Sequence, residues 1–149
     1  MTYTAQKVWV FDLDGTLADL THRLHYIEGE VKNWDAFFAA VGEDSVIEHM
    51  RELFWACQKM YQPIIVSGRS DVCRDKTEAW LHYNFLSRTR LYMRRHGDHR
   101  PDVQVKRDLL GDLRGDGYEP IMVFDDRNQT VKGWRDLGVP CAQVAPGDF

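Results

Sequence analysis

Cysteine is scarce in this chain and shows no pairing pattern. Cys57, Cys73 and Cys141 are odd in number, lack CxxC spacing and fall in apolar or helix-like surroundings. A disulfide framework is therefore not expected, and the three read as reduced thiols of a cytoplasmic protein. Long apolar runs are missing too, for no stretch approaches the roughly 18 residues of a membrane span. The opening MTYTAQK has no charged region leading into an apolar one, so the chain is expected to be neither secreted nor membrane-spanning. An excess of basic charge is also absent. The net charge of −4 argues against a generally basic nucleic-acid coat, although carboxylates clustered at a metal site would inflate the acidic count. Histidine offers little: His22 and His25 stand three apart with no HExxH or matching carboxylate spacing, and a histidine metal site is not expected. There is no internal repeat, low-complexity tract or interdomain linker.

What is present fits one domain over residues 1–149, at 44% hydrophobic content enough to bury a real core. The rest of the chain is organised around Val8–Leu17, VWVFDLDGTL. Val8, Trp9, Val10 and Phe11 lack polar alternation, as befits a central strand of a parallel sheet covered on both faces. Ligands of such sheets bind at the carboxyl ends of the strands. Side chains alternate along a strand, so Asp12 and Asp14 point the same way with Leu13 opposed. Two carboxylates that close repel, and a hard cation such as Mg2+ would offset the repulsion. Gly15 lets the backbone turn away.

The remaining elements follow in order. A short helix is expected over Trp34–Val41, in a segment beside or over the site, and a packing helix over Ser45–Tyr61 with a wide apolar face. Pro63–Val66 reads as a strand that runs into Ser67-Gly68-Arg69-Ser70, followed by a helix over Asp71–Phe85. Leu91–Met93 is a brief strand. Arg88, Arg90, Arg94, Arg95, Arg100 and Arg107, with His96 and His99 interleaved, make the surrounding region basic, and a solvated charged face explains most such runs. Pro101 fits the first turn of a helix carrying Lys106, Leu109, Leu110 and Leu113. Ile121–Phe124 is a strand delivering Asp125 and Asp126; Asn128–Leu137 is a helix closed by Gly138 and Pro140; Cys141–Val144 is the last strand. Strand, polar end and helix recur, which implies an α/β domain with a mainly parallel sheet and right-handed crossovers.

The strand ends together present what phosphoryl transfer requires. Asp12 is the candidate nucleophile, forming an acyl phosphate, and Asp14 the candidate acid/base, provided neighbouring acids raise its proton affinity. Ser67 and Lys106 would hold phosphate oxygens, Asp125 and Asp126 would serve as metal ligands, and Arg23 follows the carboxylate motif closely enough to reach a bound phosphate. Only about 50 residues separate Asp14 from Ser67, which leaves room for a small flap but no independent cap domain, and so for an open site. Beside the arginine-rich segment, an open site can accept the end of a polymer. Tyr26, Trp34 and Tyr92 are candidates for stacking bases or for core packing.

DLDGT after an apolar strand resembles the first motif of the haloacid dehalogenase (HAD) superfamily, and the four blocks in this order resemble the four motifs of its phosphatases. VSGRS, DVQVKRD, FDDRNQTVKGWRDLGVPC and QVAPGDF are similar to the 3′-phosphatase domains of phage polynucleotide kinase-phosphatases. That resemblance implies a Rossmann-like three-layer fold with a minimal cap. It implies a catalytic set of Asp12, Asp14, Ser67 and Lys106 and a metal set of Asp12, Asp14, Asp125 and Asp126 for Mg2+. The substrate set is Arg23, Ser67, Gly68, Arg69, Asp102 and Lys106. It further implies removal of the 3′-phosphate from DNA or RNA ends. No GxxxxGK[ST] loop is present, so kinase activity is expected to be absent and kinase and ligase steps to belong to separate partners. Two other readings stay open at this point: a phosphatase for nucleotides or other small phosphomonoesters, and a non-catalytic module binding nucleic acid or protein.

Overall fold

The computed structural model describes residues 2–149. Its centre is strand β1 (Gln6–Phe11), with β4 (Gln62–Ser70) on one side and β6 (Tyr118–Asp125) on the other. β5 (Arg90–Arg94) and β7 (Cys141–Gln143) lie at the edges, giving the order β5-β4-β1-β6-β7 with every pair parallel. Strand order reverses at β1, the place where such sheets open a crevice beyond their carboxyl ends.

Both faces of the sheet are covered. Val8, Val10, Ile64, Val66 and Val123 pack against Val105, Leu109 and Leu113 of α4 (Asp102–Gly115) and Val131 and Trp134 of α5 (Asn128–Asp136). Phe11, Ile65 and Phe124 face the other way, onto Met50 and Phe54 of α2 (Glu48–Cys57) and Trp80 and Leu81 of α3 (Arg74–Tyr83). The unbroken apolar run of β1 is thus read by two cores at once, each odd or even residue serving one. Phe54→Ala, at a fully buried position, would cost about 3–5 kcal/mol in transfer and cavity terms.

Between β1 and α2 lies a flap in place of a cap domain. Two-residue strands β2 (Ala18–Asp19) and β3 (Ser45–Val46) pair antiparallel at its base, and α1 (Trp34–Ala39) rides on it, begun by Asn33, whose side chain accepts the Ala36 N–H at 3.0 Å. The helix expected over Ser45–Tyr61 is shorter, since Ser45 and Val46 are taken by β3. The helix expected from Asp71 begins instead with a 3₁₀ turn at Asp71–Cys73. β4 also runs farther than its apolar stretch. A bulge between Ser67 and Ser70 carries the chain through Gly68 and Arg69 before pairing resumes at Arg94, so these polar residues belong to the strand and are re-aimed by it.

Candidate active site

Asp12 continues β1, held by its backbone N–H donating to the Phe124 carbonyl at 3.0 Å. β6 ends at Asp125, with Asp126 directly after, and carboxylate oxygens of Asp12, Asp125 and Asp126 lie within 4.8 Å of one another, all three residues buried. Lys106 enters from α4 and donates to Asp12 Oδ1 at 3.0 Å and Asp125 Oδ2 at 2.7 Å. Asp125 also accepts the indole N–H of Trp134 at 3.2 Å, a contact not foreseeable from residue spacing. Burial pushes the Asp12 carboxyl well above its ordinary value, against the pull of Lys106 and with Asp125 and Asp126 adding to the rise. Burial and then Asp125 lift Asp126 to about 6. One ammonium among these carboxylates leaves an excess of negative charge. Gly15, at φ +81°, is required here twice over: the turn favours glycine, and a Cβ would run into the Asp126 carboxylate.

Asp14 stands outside that group. It was expected to be raised by neighbouring acids, but its Oδ1 receives Arg23 Nη2 at 2.6 Å and Arg69 at 2.7 and 3.0 Å. Burial acts to raise its carboxyl, yet Arg69 and then Arg23 outweigh it and hold the group below its ordinary value. Arg23 is likewise not on the surface of the flap. It is completely buried, in the 3₁₀ turn Thr21–Tyr26, with its guanidinium over the Phe37 ring at 4.2 Å. Asp44, which no motif singles out, joins the two arginines: it accepts Arg23 Nε and Nη2 and Arg69 Nη2, each at 2.8 Å. A fully buried guanidinium requires such a carboxylate, and only the folded flap brings one, 21 residues along the chain.

Ser67, Gly68, Arg69, Asp102 and Lys106 line a cavity of about 710 Å3 together with Asp12, Asp14, Asp125 and Asp126. Ser67 Oγ accepts the Arg69 N–H at 3.1 Å. Asp102, in the first turn of α4, lies where a Cβ on residue 68 would strike it, so Gly68 is needed for the close approach. Its Oδ1 accepts Arg94 Nη2 at 2.6 Å. Arg94 is therefore no solvated side chain: it also donates to the carbonyls of Gly68 at 2.8 Å, Asp98 at 3.0 Å and Arg100 at 2.6 Å, fixing the loop that borders the cavity. Arg100 is engaged as well, by Asp98 and Asp108.

The comparison with known families decides what this constellation belongs to. The model of the polynucleotide kinase PNKP phosphatase domain matches residues 6–149. The chain belongs to this family. A protein of Autographa californica nuclear polyhedrosis virus, assigned by name as a bifunctional polynucleotide kinase/RNA ligase, is 32% identical over 132 residues, covering 87% of this chain and 18% of the viral protein. A chain in the solved structure of the Pnkp1/Rnl/Hen1 RNA repair complex superposes with a TM-score of 0.85 at 31% identity, over 97% of this chain and 44% of that one. A haloacid dehalogenase-like hydrolase from Streptococcus pneumoniae shares the fold, with a TM-score of 0.62 at 12% identity over 96% of this chain and 85% of its own. This chain thus spans less than half the length of the first two relatives. As a PNKP phosphatase domain of HAD type it is a phosphoric monoester hydrolase, and its cavity is where that chemistry must fit.

Proposed function

We propose that this domain removes the 3′-terminal phosphate of a polynucleotide, with Asp12 as the nucleophile. The observation that carries the reading is the pairing of Asp12 with Lys106 at 3.0 Å at the end of the central strand, in the cavity also lined by Ser67, in a PNKP-type phosphatase domain. Asp12 attacks phosphorus and the ester oxygen leaves as the ribose hydroxyl, giving an aspartyl phosphate; water then attacks that phosphorus, releasing inorganic phosphate and restoring Asp12. Lys106 and Ser67 hold the phosphoryl oxygens as their charge redistributes. Asp14 is held ionised by Arg69 and Arg23, so it is poised as the base for the water step. In the first step the departing oxygen takes the proton carried by the substrate monoanion, a phosphate monoester having a second pKa of about 6, and after the second Asp14 returns the water's proton to solvent. Arg23 and Arg69 act on substrate through Asp14 and Asp44, and Asp102 acts by shaping the loop beside Gly68.

The three clustered carboxylates suit a hard cation: they offer only oxygen donors, and Lys106 alone does not match their charge. Asp12, Asp125 and Asp126 would hold Mg2+, whose charge when bound screens the meeting of an anionic nucleophile with an anionic phosphate. The Asp14 carboxylate is committed to arginine, so Asp14 would offer the cation its backbone carbonyl.

The polynucleotide end as substrate is supported by the family and by the basic loop at the cavity. Residues 1–149 are read as one phosphatase domain, and the names of its relatives suggest that it works alongside kinase and ligase steps. Among the described residues no helix is long and apolar enough to cross a membrane, and the three cysteines are buried and unpaired, which suits the reducing cytoplasm. The test is turnover of a 3′-phosphorylated oligonucleotide against an aryl phosphate, with Mg2+ and then with chelator, followed by acid trapping of labelled phosphate on the Asp12 peptide. A preference for the oligonucleotide that chelation removes, with label on Asp12, supports the reading; label absent from Asp12 overturns the nucleophile, and equal kcat/KM on both substrates overturns the substrate.

A further inference from the structure

A cavity of about 710 Å3 is far larger than a phosphate group and falls in the range of about 300–1,000 Å3 that holds whole small ligands. Its two walls differ in chemistry. On the flap, Trp34 begins α1 and stays 47% exposed while its neighbour Phe37 is buried. The indole is braced rather than loose: Phe38 lies nearly parallel to it at 6.0 Å between ring centroids, and Phe37 meets it edge-on at 5.6 Å. Phe37 in turn rests on the buried Arg23 guanidinium that contacts Asp14. A rigid aromatic surface is thus presented to the cavity, half-exposed even with the Lys32 ammonium 5.9 Å from the indole centroid. Asp35 lines the same wall, and its charge disfavours a phosphate there.

The loop following β5 lines the same cavity. Arg94 and Arg100 are spent on holding its shape, and the His96 N–H is tied to Asp71 Oδ1 at 2.9 Å. Arg95 is different, with a side chain 83% exposed that reaches Asp112 only at 4.0 Å. A cation so weakly held, on a loop so firmly held, is available to an anion.

We propose that, granted the polynucleotide substrate argued above, these walls divide its recognition: Trp34, backed by Phe38, stacks on the base of the 3′-terminal nucleotide, and Arg95 takes the next phosphate along the strand. Base stacking on an aromatic face tolerates any sequence, and an arginine on a backbone phosphate positions without reading bases. The domain therefore selects an end for having a nucleoside and a following phosphate, not for its sequence.

The experiment measures kcat/KM of wild type, Trp34→Ala, Trp34→Tyr and Arg95→Ala on a single-stranded 3′-phosphorylated oligonucleotide, the same strand ending in an abasic sugar, a 3′-mononucleotide and an aryl phosphate. Trp34→Ala is expected to lower the oligonucleotide-to-aryl phosphate ratio about tenfold or more, through KM, and Trp34→Tyr to restore most of it. The abasic strand should show no such change. Arg95→Ala is expected to lower the ratio for the oligonucleotide but not for the mononucleotide, and to reduce the slope of log affinity against log salt by about 0.7, as loss of one single-strand phosphate contact does. If wild type prefers no oligonucleotide, the substrate reading itself falls. If it does prefer one, but Trp34→Ala lowers abasic and normal strands alike or lowers neither, the stacking assignment is overturned while the substrate stands. An unchanged salt slope in Arg95→Ala overturns the phosphate contact.

Discussion

Two buried charge clusters start two residues apart, at Asp12 and at Asp14, and they are balanced differently. The first sets Asp12, Asp125 and Asp126 against Lys106 alone. The second sets Asp14 and Asp44 against Arg23 and Arg69, charge for charge. A matched cluster balances its own charge, with Arg23 Nη1 its one nitrogen left without a partner, and braces the flap against β4. An unmatched one has a deficit that something from outside must fill, and its burial makes that deficit costly. The contrast assigns chemistry to the first and positioning to the second, although both lie at the same strand end.

Breaking the unmatched cluster at its nucleophile has the largest expected effect. Asp12→Asn keeps the shape and removes a charge from an over-acidic group, so turnover should fall to background while the metal-free protein melts no lower than wild type. An assay of released phosphate beside a thermal melt checks both halves; substantial residual turnover would remove Asp12 as nucleophile. In the matched cluster the same kind of change should act the other way. Asp44→Ala strands two buried guanidiniums with one shared carboxylate, and breaking such a network costs about 3–5 kcal/mol. Urea denaturation reads this directly, and a cost near zero would show that Arg23 and Arg69 find other partners. Lys106→Met, which retains the apolar stem, should lose roughly 3 kcal/mol of transition-state stabilisation, as removal of a preorganised donor does. Turnover within a few-fold of wild type would return Lys106 to a structural role.

Much of this was legible from the residues, and the exceptions have a common cause. β1, with its two faces, could be read from its apolar run, as could the acids after β6, but Asp12 and Asp14, placed together by alternation, lie past the end of the strand and join different clusters. Lys106 could be placed only as lying near the start of a helix, yet that was enough once the helix covered the β1 face. Arg23 shows the limit. Its nearness in sequence to the carboxylate motif pointed to a phosphate contact, but not to burial or to the claim of Asp44, since that pairing depends on how the flap folds back through β2 and β3. Arg94 and Arg95 show the same limit side by side: adjacent and identical in type, one is held by its loop and the other is exposed. Composition counts both as basic surface.

The smallest predicted effect is also the one that separates the clusters most directly, because they should give stability opposite dependences on pH. In metal-free protein Asp126 is lifted to about 6 from an ordinary value near 3.8. The unfolded chain therefore releases this proton near pH 4 and the folded chain near pH 6, so between them the folded state holds more protons and stability falls as pH rises. Asp14 is lowered instead, so the stability it contributes is present above about pH 4 and is lost only as the solution becomes more acid. With partial solvent access discounted, the Asp126 contribution should be on the order of 1 kcal/mol across that window. Denaturation in chelator at pH 4.5 and pH 7, for wild type and Asp126→Asn, isolates it: wild type should lose stability over the interval and the variant should lose less. Repeating both in saturating Mg2+ should abolish the wild-type loss, since a bound cation favours the ionised carboxylates. A wild-type loss that persists unchanged in Mg2+ would mean that the cation does not bind where the acids are unmatched, and the division between the two clusters would no longer hold.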